Sequence, residues 1–416
     1  MKSNYNVLIV ANEGLSYNTA NGRTLAVLLT NFNKENLYQF YIHDKPDEEL
    51  IHKSYQVSDY DVLRSAIPFF KKKPHKSVSN ASSVKKSCRN LYLRNILWST
   101  YAWWGKEFSL FINNVNPKII ILQAGDAPFM FKIALKICKK TGAKLIVVNT
   151  ENYVLKEKLY SDAKKYSVWH LLLQHSLNKQ FKRIVNKSEY FIFNFEYLQN
   201  CYLEKYPKIK SCCSLMNSST IKPHIYDYSG KFVLSYLGNM GVGRIECLRE
   251  IAETIDDNNL PIQFVLCGKF PTIEDEQIMR AFKCIDYRGV VQYDEVIDIM
   301  KNSSLILHCE NTSRLENLKS AFSTKLADML TVGSPILIYA SRDYPFVKYL
   351  ESNCVGHIAS DKKELLDVLI HCIEDYNYLI QYIPNCIELA NRNHNVSVNS
   401  QKMISIMNNL CGEIYD

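Results

Sequence analysis

The residues of this 416-residue chain whose types and spacing could do chemistry fall in two short stretches of its second half. In "FSTKLADMLTVGSPILIY", Phe322 to Tyr339, the residues Leu326, Met329 and Leu330 mark one side of a short helix. Gly333, Ser334 and Pro335 break it before the apolar run Ile336 to Tyr339. Lys325 stands at its start and Asp328 one turn later, where a loop would deliver a ligand. In "YLGNMGVGR", Gly238, Gly241 and Gly243 precede Arg244, between an apolar run and the helical pattern Ile245 to Ile255. Glycines let a backbone approach an anion closely, and a helix N-terminus offers unpaired N–H groups and a positive dipole end. The spacing G-x-x-G-x-G-R is not the G-x-G-x-x-G of dinucleotide sites, and no acidic residue closes the next run, "FVLCGK". A tight turn carrying an exposed arginine is the competing reading for Arg244, and a structural salt bridge the competing one for Lys325.

Such residues must be held by a scaffold, and the chain alternates short apolar runs with helical patterns twice over. "NVLIVA" (6–11), "KIIILQ" (118–123), "AKLIVVN" (143–149) and "YFIFN" (190–194) read as strands without polar alternation, as do 231–238, 262–268, 304–309 and 335–340. Strands of that kind are buried on both faces, as in a parallel sheet. A helical stretch such as Ala127 to Lys140 lies between them, and Gly22, Arg23 and Thr24 open another, with the stripe Leu25, Leu28, Leu29 and Phe32. The pattern predicts two doubly wound α/β domains facing one another across a cleft. Residues 1–210 form the first, the polar stretch 211–230 the linker, and 231–390 the second, with a C-terminal helix in 391–416 that could pack back on the first.

Composition agrees with packed domains. The chain is 47% hydrophobic, and its length exceeds one ordinary core. Its 13 cysteines contain no CxxC pair, which argues against a zinc site or a disulfide framework and fits a reducing cytosol. The apolar run before Asn12 is too short for a signal peptide, and no segment reaches the ~20 apolar residues of a membrane span. The expectation is a cytoplasmic protein, attached to a membrane at most at its surface.

Four stretches taken in order, "YLGNMGVGR", "FVLCGK", "DYRGVVQYDEVIDIMKNSSLILHCEN" and "FSTKLADMLTVGSPILIY", resemble the GT-B glycosyltransferases of the family 4 type, also called glycosyl transferases group 1. The first domain matches only in strand order and its Gly-rich first turn. The resemblance implies two Rossmann-like domains and a nucleotide-sugar donor, a UDP-sugar ahead of a GDP-sugar. It also implies transfer without cofactor or metal and with retention at the anomeric carbon, in the synthesis of a surface polysaccharide or glycoconjugate.

Carried over by position, it implies donor contacts at Gly22, Gly238, Asn239, Gly241, Gly243, Ser320, Phe322, Ser323, Thr324 and Asp328, and a nucleobase loop at Arg288, Val290 and Val291. Asp328 matches the second glutamate of the family's E-G-F-G-L-P-x-x-E, which holds the ribose. Ser320 replaces the first glutamate, near the donor sugar, so Glu310 or Glu316 is the candidate sugar contact, against the reading of each as a solvated loop carboxylate. Arg244 and Lys325 are the candidate catalytic cations for the leaving phosphate. The DxD of Asp59, Tyr60 and Asp61 follows the polar "IHKSYQVS" rather than a buried strand and reads as chance.

Lys71 to Trp104 carries eight Lys or Arg and no Asp or Glu, and Leu93, Leu97, Tyr101, Trp104, Phe108 and Phe111 follow at helical spacing. Residues 71–111 therefore suit an anionic membrane surface and a glycan or lipid-linked acceptor, or else a domain helix behind a solvated loop. A nucleic-acid binder would explain the basic run and leave the second domain unexplained, with no RNA-binding signature. A sugar-nucleotide epimerase of the same twin-domain plan is the alternative enzyme.

Overall fold

The computed structural model describes residues 5–17, 19–66, 87–155, 167–227, 230–311 and 318–412. The chain divides into two units, Met1–Met216 with Asn399–Asp416, and Asn217–Val398. The division falls after Met216, inside the stretch read as a linker, and the C-terminal segment joins the first unit from Asn399 onward.

In the first unit the strands are β1 (Val7–Val10), β2 (Leu37–Tyr41), β3 (Lys53–Gln56), β4 (Ile119–Gln123), β5 (Lys144–Asn149), β6 (Tyr190–Phe193) and β7 (Cys212–Ser214). They pair in parallel in the order β3-β2-β1-β4-β5-β6-β7, with Val7 opposite both Leu37 and Ile119. The helices are α1 (Ala20–Leu28), α2 (Asp59–Ala66), α3 (Cys88–Ser99), α4 (Lys106–Val115), α5 (Pro128–Thr141), α6 (Val168–Lys187) and α7 (Glu196–Lys205). The four apolar runs expected here are β1, β4, β5 and β6, and β1 is buried throughout, as unalternating parallel strands require.

One expectation in this unit is corrected. The stretch read as one amphipathic helix from Leu93 to Phe111 is two, because α3 ends at Ser99, Tyr101 takes a φ of 56°, and α4 begins at Lys106. Its aromatics face inward: Trp98 and Trp103 are buried, Trp98 stacking on Phe129 at 4.7 Å and Trp103 on Phe40 at 5.7 Å. The basic residues 71–86 lie outside the described residues. The DxD does follow a strand, β3, but a half-exposed edge one. Asp59 accepts from Arg94 Nε and Trp98 Nε1, both at 2.7 Å, and Asp61 accepts from the Ser58 amide at 2.8 Å, so both carboxylates hold the fold.

The second unit contains β8 (Phe232–Leu237), α8 (Arg244–Asp257), β9 (Ile262–Cys267), α9 (Ile273–Arg280), β10 (Ile285–Gly289), α10 (Tyr293–Lys301) and β11 (Leu305–Glu310). It continues with α11 (Thr324–Val332), β12 (Ile336–Ala340), α12 (Pro345–Ser352), β13 (His357–Ala359), α13 (Lys362–Glu374), α14 (Tyr376–Ile380) and α15 (Ile383–Asn393). Its parallel sheet runs β10-β9-β8-β11-β12-β13, and β11 and β12 are buried along their whole length. α11 stops at Gly333, which takes the left-handed φ of 92° of a helix C-cap. A last helix, α16 (Val396–Cys411), returns Met403 and Met407 to the core of the first unit beside Val7, Ile9 and Ile119. Among the described residues no helix is long and apolar enough to cross a membrane.

Candidate functional site

From the neighbours β8 and β11 the strand order of the second sheet runs outward in opposite directions, and the carboxyl ends of such a pair are where doubly wound sheets take ligands. Arg244 opens α8 after β8, Glu310 closes β11, and Lys325 stands in the first turn of α11. The Arg244 guanidinium places Nε 3.1 Å and Nη2 2.5 Å from Glu310 Oε1, and Nη1 3.5 Å from the Asn239 carbonyl oxygen. Burial alone would make Arg244 easier to deprotonate, but Glu310 outweighs it and raises the pKa. Glu310 is therefore no solvated loop carboxylate: it is a buried strand residue, and its Oε2 has no hydrogen-bond partner among the described residues.

Lys325 has no carboxylate within ion-pair reach among the described residues. Its Nζ lies 3.5 Å from the Tyr236 hydroxyl and 4.6 Å from the centre of that ring. Desolvation, then the charge of Arg244, pulls its pKa down to about 8. His308, two residues before Glu310, is buried with Nε2 3.7 Å from Glu310 Oε1. Burial, then Lys325 and Arg244, keeps that imidazole neutral, with its pKa well below the usual value.

The backbone beneath these cations has no room for side chains. A Cβ on Gly238, at a φ of 137°, would stand 2.7 Å from Lys325 Nζ, and one on Gly268 would stand 1.9 Å from the Gly238 carbonyl oxygen. Asn239 Oδ1 accepts from the Gly241 amide at 2.8 Å, and Gly243 forms the N-cap of α8. The turn thus presents a helix N-terminus beside two cations, an arrangement suited to a diphosphate.

Asp328 is buried on α11, one oxygen accepting from the Ser219 hydroxyl at 2.6 Å and the other from the Tyr293 hydroxyl at 3.2 Å. Ser320 is buried, Ser323 is the N-cap residue of α11 and Thr324 its first residue. Phe322 turns its ring inward, stacked on His394 at 5.3 Å, while its carbonyl accepts from Asn217 Nδ2 at 2.9 Å. Arg288 pairs with its own neighbour Asp286 at 3.0 Å, Val291 is half-buried and Val290 is 77% exposed. Glu316 lies outside the described residues.

Tyr236, Ser219, Tyr293 and His308 went unnoticed in the sequence. Tyr293 was within reach of a sequence argument, as the only aromatic at the head of the helix after the nucleobase loop. The other three are ordinary residues until the fold joins their segments.

In the first unit Gly22 sits inside the first turn of α1 rather than before it. A Cβ there would stand 2.7 Å from the Gly14 carbonyl oxygen, so the glycine lets the helix start press on that loop. At the carboxyl ends of β1, β4 and β5 a polar pocket of about 230 Å³ is lined by Asn12, Glu13, His43, Arg94, Gln123 and Asp126. Arg94 Nη2 lies 3.1 Å from His43 Nε2, and burial, then Arg94, keeps that imidazole neutral and able to accept. Separate segments supply these side chains, so no sequence motif announces the pocket.

No family model and no curated protein sequence matches the chain. Solved structures do. Anabaena HepE in complex with UDP aligns with a TM-score of 0.67 at 10% identity, covering 97% of this chain and 100% of that one. A glycosyltransferase from Rickettsia africae aligns at 0.63 and the sucrose-phosphate synthase of Thermosynechococcus elongatus at 0.62, each at 11% identity over 98% of this chain and 99% of the other. HepE has also been solved with UDP-glucose. At such identities the likeness establishes the fold, that of the GT-B glycosyltransferases.

Proposed function

We propose that this chain is a glycosyltransferase that moves a sugar from a nucleotide-sugar donor, a UDP-sugar ahead of a GDP-sugar, to a glycan or lipid-linked glycan acceptor. The observation that carries the reading is the pair Arg244 and Lys325 at the starts of α8 and α11. Lys325 has no ion pair among the described residues, and its Nζ stands over Gly238, where a Cβ would come within 2.7 Å of it. The UDP and UDP-glucose complexes of HepE support the choice of nucleotide.

When the bond from the anomeric carbon to the diphosphate breaks, its electron pair goes to the leaving oxygen. Fixed cations there lower the barrier because they act on charge that grows toward the transition state. Arg244 forks onto that charge and Lys325 adds a compact one, with Gly238, Asn239, Gly241 and Gly243 framing the phosphates. Glu310 holds Arg244 in place.

Glu310, whose Oε2 has no hydrogen-bond partner among the described residues, lines a cavity of about 280 Å³ with Glu246, Glu250, Asn311, Asp361 and Lys362, the lysine being paired with Glu253 at 3.7 Å. Carboxylates accept from hydroxyls and repel phosphate, so this cavity takes the neutral sugar, and Glu310 does the work of the glutamate that Ser320 replaces. Asp328, steadied by Ser219 and Tyr293, accepts from the ribose hydroxyls. Arg288, Val290 and Val291 flank the base. Ser323, Thr324 and the Phe322 backbone complete the donor loop.

Transfer proceeds with retention and without a metal, in surface polysaccharide or glycoconjugate synthesis, and the basic 71–111 stretch brings the enzyme to an anionic membrane. Thermal melting with a panel of UDP- and GDP-sugars tests the donor assignment. A rise with one nucleotide sugar, absent in Lys325→Ala, is the expected result, and no rise with any of them would remove the reading.

A further inference from the structure

Three helices of the first unit that pack on one another, α3, α5 and α6, carry ten Lys or Arg and no Asp or Glu. Chance mixing of the two signs does not give so complete a segregation in a chain with 50 basic and 42 acidic residues. Arg94 is balanced by Asp59 of α2. Among the described residues Lys132, Lys179 and Arg183 have no carboxylate partner. Lys132 and Lys179 line a groove of about 370 Å³ together with Ile96, Leu172 and His175. Lys132 donates to Ser99 Oγ at 2.7 Å, and burial, then Arg183 and Lys179, lowers its pKa, so the groove is electropositive.

Beside the groove the helices expose apolar side chains. Leu93 and Ile96 of α3 are 47% and 49% accessible, and Val168, Trp169, Leu171 and Leu172 in the first turns of α6 are 68%, 38%, 59% and 38% accessible. Tyr92 and Trp169 bring the two helices together at 6.0 Å between rings, and Ile96 of one and Leu172 of the other line the same groove. Scattered exposed leucines need no explanation, whereas an apolar patch rimmed by one sign of charge does. Along α6 Trp169, Leu172, His175, Lys179 and Arg183 fall at helical spacing, apolar at the start and cationic further on.

We infer that this α3–α6 face docks on an anionic lipid bilayer, its leucines and Trp169 entering the headgroup region while Lys132, Lys179 and Arg183 meet lipid phosphates. The charge pattern fits an anionic surface, and the aliphatic patch fits lipid better than nucleic acid, which calls for base-stacking aromatics or phosphate contacts alone. The surface differs from the stripe read in the sequence, since Phe108 and Phe111 are buried and Leu93 is joined outward by Ile96 and the first turns of α6. α3 also turns Leu91 and Arg94 toward the polar pocket at the ends of β1, β4 and β5. One helix therefore borders both the docking face and that pocket, which suits an acceptor delivered from the bilayer. The docking deepens the proposed membrane association by naming the face that makes it, and it rests on the exposed residues of α3 and α6.

The test is flotation of the full chain with vesicles of phosphatidylcholine alone and of phosphatidylcholine with phosphatidylglycerol. The parent should float with the second and not the first. Leu93→Glu with Leu171→Glu should cut the bound fraction at least tenfold at any salt concentration. Lys179→Glu and Arg183→Glu should each cost about fivefold at low salt and little at high salt. These side chains are exposed, so both sets should keep the parent's circular dichroism and its melting shift with a UDP-sugar. A parent that does not float, or glutamate variants that float like the parent, would overturn the docking. So would a patch occupied by a second copy, seen as a dimer that Leu171→Glu dissociates, or a single-stranded oligonucleotide that competes for Lys179 and Arg183 without regard to Leu93. A missing UDP-sugar shift with flotation intact would count against the donor assignment alone.

Discussion

Arg244 and Glu310 are bonded to each other at the centre of the candidate site, which changes what a substitution there reports. Removing the guanidinium alone leaves a buried carboxylate unpaired, a loss of about 3 to 5 kcal/mol in comparable pairs. Arg244→Ala is therefore expected to melt at lower temperature as well as to lose turnover. Arg244→Met with Glu310→Gln should restore most of the stability while turnover stays a hundredfold or more below the parent, because the transition-state charge still lacks its donor. Recovery of both together would make Arg244 structural.

Lys325 gives the site a pH dependence whose sign can be worked out. The unfolded lysine titrates near 10.5 and the folded one near 8, so between those values the unfolded chain binds the extra proton. Without ligand, the penalty for holding this charge is fully present below pH 8 and is relieved as pH rises toward 10.5. A diphosphate wants the charged form, so UDP affinity should fall as pH climbs through the same window. Calorimetric titration of UDP across pH 8 to 10.5 should show that fall in the parent and a flatter profile in Lys325→Gln. Parallel profiles would mean that the lysine does not face the phosphates.

Among the elements, the ends of β8 and β9 decide whether those cations can meet a ligand. Gly238 and Gly268 face each other across neighbouring strands, and the Gly238 amide donates to the Cys267 carbonyl at 2.7 Å. Since a Cβ on Gly268 would fall inside the Gly238 carbonyl, Gly268→Ala must move backbone rather than a flexible side-chain tip. The expected cost is ~2 kcal/mol or more, read as a lower melting temperature of the transition that UDP protects. An unchanged melt would show that the strand ends can part freely. The other element that matters is the tight turn between α3 and α4. It breaks the apparent helical stripe and sends Trp103 and Phe108 against the sheet instead of into solvent.

For the whole molecule, the chain returns to its starting unit at the end. From Asn399 onward α16 supplies Met403 and Met407 to the first core, Ser400 Oγ accepts from the Asn31 amide at 3.0 Å, and Asn408 Oδ1 accepts from the Tyr5 hydroxyl at 2.6 Å. A chain stopped after Val398 should expose that core, so the first unit should unfold earlier in a calorimetric scan while the second keeps its UDP-induced shift. If both transitions survive unchanged, the C-terminal helix contributes nothing to the first unit.

The sequence by itself determined the doubly wound class, the strands buried on both faces, and the two loops that carry Arg244 and Lys325. It could do so because uninterrupted apolar runs, glycine turns and helix starts are local patterns that the backbone must obey whatever surrounds them. It missed β2, β3, β7, β10 and β13: β3, β7 and β10 are half-exposed and carry no such run, Gln39 interrupts β2, and β13 is only three residues long. Only the tertiary structure decided that Glu310 holds Arg244, that Asp328 leans on Ser219 and Tyr293, and that the outward apolar residues are Leu93 and Leu171 rather than Phe108 and Phe111. Those facts depend on which segments meet across the sheet, and burial of a side chain is a property of its neighbours in space, about which spacing along a chain is silent.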